Sequence, residues 1–237
     1  MLKLTDMHCH LIPGVDDGAA DERTAKQMLQ MEYADGVRRI IATPHYRRGM
    51  FETPMETILK QFKVLQDLAA QVADDLQVEL GCEYHSHLEM TEAMLVHERP
   101  TLASSPYVLV EFSSRHTYRN LWNQVCSLQQ EGFEPIIAHI ERYPCLREHP
   151  ERLHDLADQG IFLQVNAGSI LGEDGMGVKR FCKRLLQEEL IDFVASDAHD
   201  TDKRRPNLGK CAEYVTKKMG SNYAQQLFQK NPAKIGV

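Results

Sequence analysis

Two kinds of hydrophobic pattern alternate along this chain. Short continuous apolar runs recur: Arg39-Ile40-Ile41-Ala42, Val108-Leu109-Val110, Ile136-Ile137-Ala138, Phe162-Leu163-Gln164-Val165 and Phe193-Val194-Ala195. Runs of this length suit strands buried on both faces, as in parallel sheets. Seven such β-rich runs end near His10, Thr43, Glu83, Glu111, His139, Asn166 and Ser196. Helical spacing lies between them. The clearest case is Met55, Ile58, Leu59, Phe62, Leu65, Leu68, Ala69 and Val72, in steps of three and four. Thr53-Pro54-Met55-Glu56 predicts its start, with Thr53 as cap, proline at the first helical position and Glu56 closing a capping box. Ala25, Met28, Leu29 and Tyr33 form a second helix that stops at Gly36. Further helices are predicted around 118–131, 150–158, 176–189 and 207–229.

Repeated strand–helix units of about 30 residues point to βαβ architecture. The expected fold is α/β, a distorted seven-stranded (β/α)7 TIM-like barrel. The alternative is an open doubly wound sheet, whose polar site residues would gather at one switch point. Instead they fall at or just after strand ends: His8/His10, His45, Glu83, Glu111, His139 and Asp197/His199. Barrels of this kind carry their reactive groups at the carboxyl ends of the strands.

Composition narrows the class. With 237 residues and 43% hydrophobic content, one domain covering 1–237 is expected. No apolar run approaches the roughly 20 residues that span a bilayer, and no signal-peptide pattern opens the sequence. The six cysteines at 9, 82, 126, 145, 182 and 211 form no CxxC pair, which suits reduced thiols and a cytoplasmic setting. A net charge of −7 argues against nonspecific nucleic-acid binding. Nothing in the pattern sets an oligomeric state.

The chemistry begins at His8-Cys9-His10, two imidazoles on one side of a strand, followed by the turn Pro13-Gly14-Val15-Asp16-Asp17-Gly18. Asp16 and Asp17 are both available there, and the adjacent Gly18 favours Asp17. His8, His10, Asp17, His45, Glu83, Glu111, His139, Asp197 and His199 make nine potential ligands. One metal takes about four protein ligands, so nine imply two or three ions sharing bridging carboxylates. Paired metals can clamp the entering and leaving oxygens of a phosphoryl transfer, with a metal-activated hydroxide as nucleophile. Arg142 and Arg204, with Arg205 beside it, offer guanidinium forks to phosphate. Arg47 and Arg48 could rim the mouth and attract an acidic peptide. A Cys-x5-Arg phosphatase is excluded, because the residues six beyond each cysteine are Val15, Leu88, Gly132, Glu151, Glu188 and Lys217. No P-loop or GxGxxG fingerprint is present.

The opening run His8 to Gly18 strongly resembles that of the PHP (polymerase and histidinol phosphatase) superfamily. More narrowly, it looks like the manganese-dependent bacterial protein tyrosine phosphatases of capsule and exopolysaccharide operons. Ala42-Thr43-Pro44-His45 with Arg47-Arg48-Gly49-Met50-Phe51, Gly81-Cys82-Glu83, Leu109-Val110-Glu111-Phe112, Ile137-Ala138-His139-Ile140-Glu141-Arg142-Tyr143 and Ala195-Ser196-Asp197-Ala198-His199 are similar in the same order. The resemblance implies three metals, most simply Mn2+, with Fe, Zn or Co able to use the same donors. The first would bind His8, His10, Glu83 and Asp197. The second would share Glu83 and use Glu111 and His139, and the third would use Asp17, His45 and His199. Arg142 and Arg204 would bind phosphate. The implied substrate is the phosphotyrosine tail of a bacterial tyrosine kinase that regulates polysaccharide export. The competing activities are a small-molecule phosphomonoesterase of the histidinol-phosphatase kind and a phosphodiesterase. A noncatalytic module that holds a kinase tail is a third class, disfavoured by the intact ligand set.

Two features depart from the resemblance. Glu83-Tyr84-His85-Ser86-His87 carries a second HxH, and 171–177 looks short. His97, His116, His149 and His154 read as surface or helix residues, and Cys9 should face away from the metal side of its strand.

Overall fold

The computed structural model describes residues 3–96 and 98–236. His97 lies outside them. The described residues form nine parallel strand segments interspersed with helices: β1 (Leu4–Cys9), β2 (Val37–Ala42), β3 (His45–Tyr46), β4 (Gln77–Leu80), β5 (Glu83–His85), β6 (Tyr107–Glu111), β7 (Glu134–Ile137), β8 (Phe162–Asn166) and β9 (Phe193–Ala195). They form two sheets, ordered β1-β2-β4 and β3-β5-β6-β7-β8-β9. The expected seven strands are thus nine segments, because two of them are interrupted. β2 and β3 are separated by Thr43-Pro44, where proline has no N–H for a ladder, and β4 and β5 by Gly81-Cys82. Backbone bonds carry on past the breaks, from Gly81 N–H to Ala42 O (2.8 Å) and from Glu83 N–H to Pro44 O (3.2 Å). The sheet curls until its far edge meets its first strand. Asp197 N–H donates to His8 O and His10 N–H to Ala198 O, each at 2.9 Å.

The helices are α1 (Glu22–Ala34), α2 (Met55–Val72), α3 (Met90–Leu95), α4 (Tyr118–Gln130), α5 (Pro144–Arg147), α6 (Glu151–Asp158), α7 (Ala167–Leu171), α8 (Met176–Gln187), α9 (Leu208–Met219) and α10 (Ser221–Gln225). The expected cap of α2 is corrected. Pro54 is the capping residue, with no side-chain cap, and the Thr53 hydroxyl donates to Val15 O at 2.6 Å instead. A better partner in the turn after β1 takes that hydroxyl away from the helix. The predicted helix over 207–229 is broken at Gly220, whose φ of 93° lies outside helical space.

Apolar residues divide between the two sides of the sheet. Met7, Ile41, Leu109, Ile136, Ala138, Phe193 and Ala195 form an inner cluster plugged by Leu102 and Ile235. A larger outer cluster packs the helices on the sheet and includes Cys9. The inner cluster positions the site, since strand residues two apart share a face. Leu109 thus stands under Glu111, and Ala195 under Asp197. The register of β1 against β2 slips between Asp6 and Cys9, so Met7 joins the inner cluster while His8 still reaches the site.

One polar group lies within the packing of α1. Glu32 on α1 and Asp6 on β1 are fully buried. The Ser196 hydroxyl lies between them, hydrogen-bonded to Asp6 and 3.5 Å from Glu32 Oε1. Burial, then the neighbouring Asp6 charge, pushes the Glu32 carboxyl well above its usual range. A carboxyl raised on folding binds protons more tightly in the native state, so its contribution is largest at acid pH and declines as pH rises above about 4.3, the ordinary Glu value. Glu32→Gln removes that decline. Thermal melts at pH 5 and pH 8 should show the variant gaining on wild type at the higher pH, by at most about 1.4 kcal/mol per pH unit. An equal difference at both pH values would contradict the shift.

Candidate metal centre

The residues singled out at the strand ends converge on one carboxylate, Glu83, at the start of β5. Its Oε2 lies 2.8 Å from His45 Nδ1 and 3.3 Å from both His8 Nε2 and His10 Nε2, and its Oε1 lies 2.9 Å from His139 Nε2. Asp197 Oδ1 lies 3.4 Å from His8 Nε2 and 3.6 Å from His10 Nε2. Glu111 Oε1 lies 3.9 Å from His139 Nε2. Asp17 Oδ1 lies 3.4 Å from His45 Nε2 and 3.6 Å from His199 Nε2. Eight of the nine expected ligands therefore enter metal-capable groupings among the described residues, and Asp17 stands at the edge of the cluster beside His45 and His199. Four overlapping triads within it could each hold a metal ion: His8/His10/Asp197, His8/Glu83/His139, His45/Glu83/Glu111 and His10/His45/His199.

The turn after β1 separates the roles of its two aspartates. A Cβ on Gly18 would sit 2.2 Å from His10 O, so only glycine lets the turn fold this closely over the strand end. Asp16 is directed inward, its side chain 1% exposed, and accepts from His10 Nδ1–H at 2.8 Å and His45 N–H at 3.0 Å. Asp17 is 48% exposed and faces His45 and His199. Asp16 orients a histidine, whereas Asp17 presents an oxygen to the cluster.

The same logic fixes other tautomers. His8 Nδ1–H donates to Gln164 Oε1 at 3.1 Å, and His199 Nδ1–H to Asp197 O at 2.9 Å. His139 Nδ1 lies 3.2 Å from the Tyr143 hydroxyl. With Nδ1 carrying the proton, the Nε2 lone pairs of His8, His10 and His199 turn inward, as metal-binding imidazoles require. Glu83 Oε2 and His199 Nε2 are buried and make no hydrogen bond despite their close neighbours. Atoms packed this way fit around a cation better than around one another. Burial opposes the charge on Glu83, but the protonated forms of the His8 and His45 imidazoles, in which a proton stands where a cation would, hold its carboxyl well below the usual range. Glu111 goes the other way, pushed up to about 7 by burial and by the Glu83 charge.

The arginines take different positions. Arg142 Nη2 lies 2.8 Å from Asp197 Oδ2, and Arg204 Nη2 lies 3.2 Å from Asp197 Oδ1. Both therefore border the cluster with part of their surface open. Arg47 sits at the base of a hairpin with Phe51, beside His85, whose pKa falls to about 4 through burial and the Arg47 charge. Arg48 is held by Glu89 and lies 3.8 Å from Glu98. His85 and His87 belong to none of the metal-capable triads among the described residues.

Gln164 and Asn166 are buried polar positions beside the cluster that the sequence pattern did not single out. Gln164 is fully buried and also accepts from His139 N–H at 2.8 Å, while its amide donates to Asn166 Oδ1 at 2.9 Å. Asn166 then donates to Asp197 Oδ2 at 2.7 Å. Polar residues at alternate positions of an otherwise apolar strand were the available signal.

A family described as "Capsular polysaccharide synthesis, CpsB/CapC" matches residues 4–236. The chain belongs to this family. It is similar to the "Tyrosine-protein phosphatase CpsB" of Streptococcus pneumoniae, with 37% identity over 237 residues and 98% of each chain covered. Among solved structures it resembles one from work on YwqE from Bacillus subtilis and CpsB from Streptococcus pneumoniae, described as unique metal-dependent tyrosine phosphatases. The TM-score is 0.87 and the identity 32%, covering 93% of this chain and 90% of the other. A histidinol phosphate phosphatase from Lactococcus lactis, complexed with zinc, L-histidinol and phosphate, shares the fold at TM-score 0.61 and 18% identity, covering 93% and 95%. These neighbours mark the fold of this CpsB/CapC member as mixed α/β with a curled parallel sheet.

Gln164→Leu removes the acceptor that orients His8 and caps the His139 amide. It should weaken retention of divalent metal about 10- to 100-fold, as loss of an outer-shell partner does. Metal content after dialysis against a weak chelator measures this, with circular dichroism confirming the fold. Wild-type retention would show that Gln164 does not set the cluster.

Proposed function

We propose that this chain is a metal-dependent protein tyrosine phosphatase acting on the phosphotyrosine tail of a bacterial tyrosine kinase in capsule or exopolysaccharide synthesis. The observation that carries the reading is the Glu83-centred cluster bordered by two arginines, in a member of the CpsB/CapC family. His8, His10, Glu83 and Asp197 would hold one ion, with Glu83, Glu111 and His139 holding a second and Asp17, His45 and His199 a third. Manganese suits this donor set, which is all imidazole and carboxylate with no thiolate, and Fe, Zn or Co remain chemically compatible. Interrupted β2/β3 and β4/β5 are each read as one stave, which makes a seven-stave barrel of PHP type in a single domain.

Bound there, the ions would supply Lewis-acid charge and bring the pKa of water down to about 7. The residues do the rest. Arg142 and Arg204 turn guanidinium forks toward the phosphate oxygens and offset charge as it builds on them. Glu83 and Asp197 keep the histidines in place, and Asp16 and Gln164 hold the Nδ1 protons so that Nε2 stays free. Arg47, at the rim, draws acidic residues of the peptide toward the mouth. No cysteine takes part. Burial pushes the Cys9 and Cys82 thiols well above their usual range, so neither is poised as a thiolate. No helix among the described residues is long and apolar enough to cross a membrane, which is compatible with a cytoplasmic enzyme meeting a kinase tail.

The second reading, hydrolysis of a small phosphate such as histidinol phosphate, uses the same cluster and the shared fold. A substrate panel separates the two. Metal-stripped protein reloaded with Mn2+ should hydrolyse phosphotyrosine peptides, and EDTA should abolish the activity. Faster turnover of histidinol phosphate than of any phosphotyrosine peptide would overturn the first reading. Arg142→Ala should raise KM for the peptide while metal content stays at the wild-type level, and an unchanged KM would remove its phosphate role.

A further inference from the structure

The arginines and the cluster account for a phosphate but not for the aromatic ring that carries it. A phosphotyrosine extends from the phosphate toward the mouth, and its ring needs an apolar surface there. Two aromatic side chains lie against cluster histidines: Tyr143 on His139 and Phe51 on His45. Tyr143 is buried at 2% exposure, and its hydroxyl accepts from Phe112 N–H at 3.0 Å, so it has no surface to offer. Phe51 is half-buried. Its ring is nearly parallel to the His45 imidazole, at 13° and 5.1 Å between centroids.

The segment that carries Phe51 is built to hold it still. Arg47 N–H donates to Phe51 O at 3.0 Å, and Phe51 N–H to Arg47 O at 2.8 Å. Gly49 makes the turn at φ +75°, and its N–H donates to Glu52 Oε2 at 3.0 Å. Arg48 ties the tip to Glu89. The outermost residue, Met50, is 62% exposed and apolar. One face of the Phe51 ring is thus referenced to His45, itself 2.8 Å from Glu83, while the side chain keeps part of its surface exposed.

We propose that Phe51, stacked on His45 at the lip of the site, is the specificity-determining contact for the aromatic ring of phosphotyrosine. The inference rests on the phosphatase reading above and names the side chain that selects aryl over alkyl phosphates. A ring edge or offset face against Phe51 adds attraction that a serine or sugar phosphate cannot gain.

Steady-state kinetics on a phosphotyrosine peptide test it, with Mn2+-loaded protein, alongside inhibition by inorganic phosphate and metal analysis. In Phe51→Ala, KM should rise roughly threefold to tenfold. The inhibition constant of phosphate, which has no ring, should hold at the wild-type value, as should metal content. Phe51→Trp should keep the low KM. An unchanged KM in Phe51→Ala overturns the inference. So does a parallel loss of phosphate inhibition or of metal, because Phe51 would then act only by supporting His45. Absence of phosphotyrosine turnover in the wild-type protein overturns the underlying reading and this inference with it.

Discussion

The arrangement depends on one buried charge. Glu83 is fully buried yet ionised, a state that costs several kcal/mol per ion unless partners compensate. Its partners come from β1 and the residue after it, from the start of β3 and from just beyond β7, strands far apart in the chain. The curled parallel sheet is the geometry that delivers those strand ends to one point. The inner apolar cluster beneath serves the same end, since Leu109, Ala195 and their neighbours exclude water from below the carboxylates. A polar group this deep strengthens every interaction around it and makes each missing partner expensive.

Much of this was legible in the chain. Strand-end histidines and carboxylates are local signals, because a polar residue closing an apolar run must have somewhere to go. The periodic segments of α1 and α2 were legible for the same reason. The interruptions at Thr43-Pro44 and Gly81-Cys82 were not, because they become visible only when the register against neighbouring strands is known. Thr53 shows how tertiary structure overrides a local rule: its capping role was plausible until Val15 O competed for the hydroxyl.

The supporting residues were the least legible part. Gln164 serves His8 on β1 and His139 after β7, and no spacing links 164 to either. Asp16 and Asp17 are adjacent and chemically equal in the sequence. The close approach of Gly18 to His10 leaves Asp16 turned inward as a brace on His10 and Asp17 turned outward beside His45 and His199. The family relationship and the geometry thus answer different questions. The first places the chain among phosphatases, and the second says which atom of each side chain is available.

His139 and Asp197 have φ values of 33° and 53°, in the left-handed region that non-glycine residues usually avoid. Each such residue costs on the order of 1–3 kcal/mol. Glycine would relax the backbone at both places and discard the side-chain donor, whereas asparagine at 197 would keep an oxygen and lose the carboxylate charge. With the metal roles proposed for them, drift toward a more stable chain would run directly against the reaction at these two positions. If the two residues hold metal as proposed, a lineage released from that chemistry would be free to lose them while keeping its curled sheet, leaving an inactive descendant more robust than its parent.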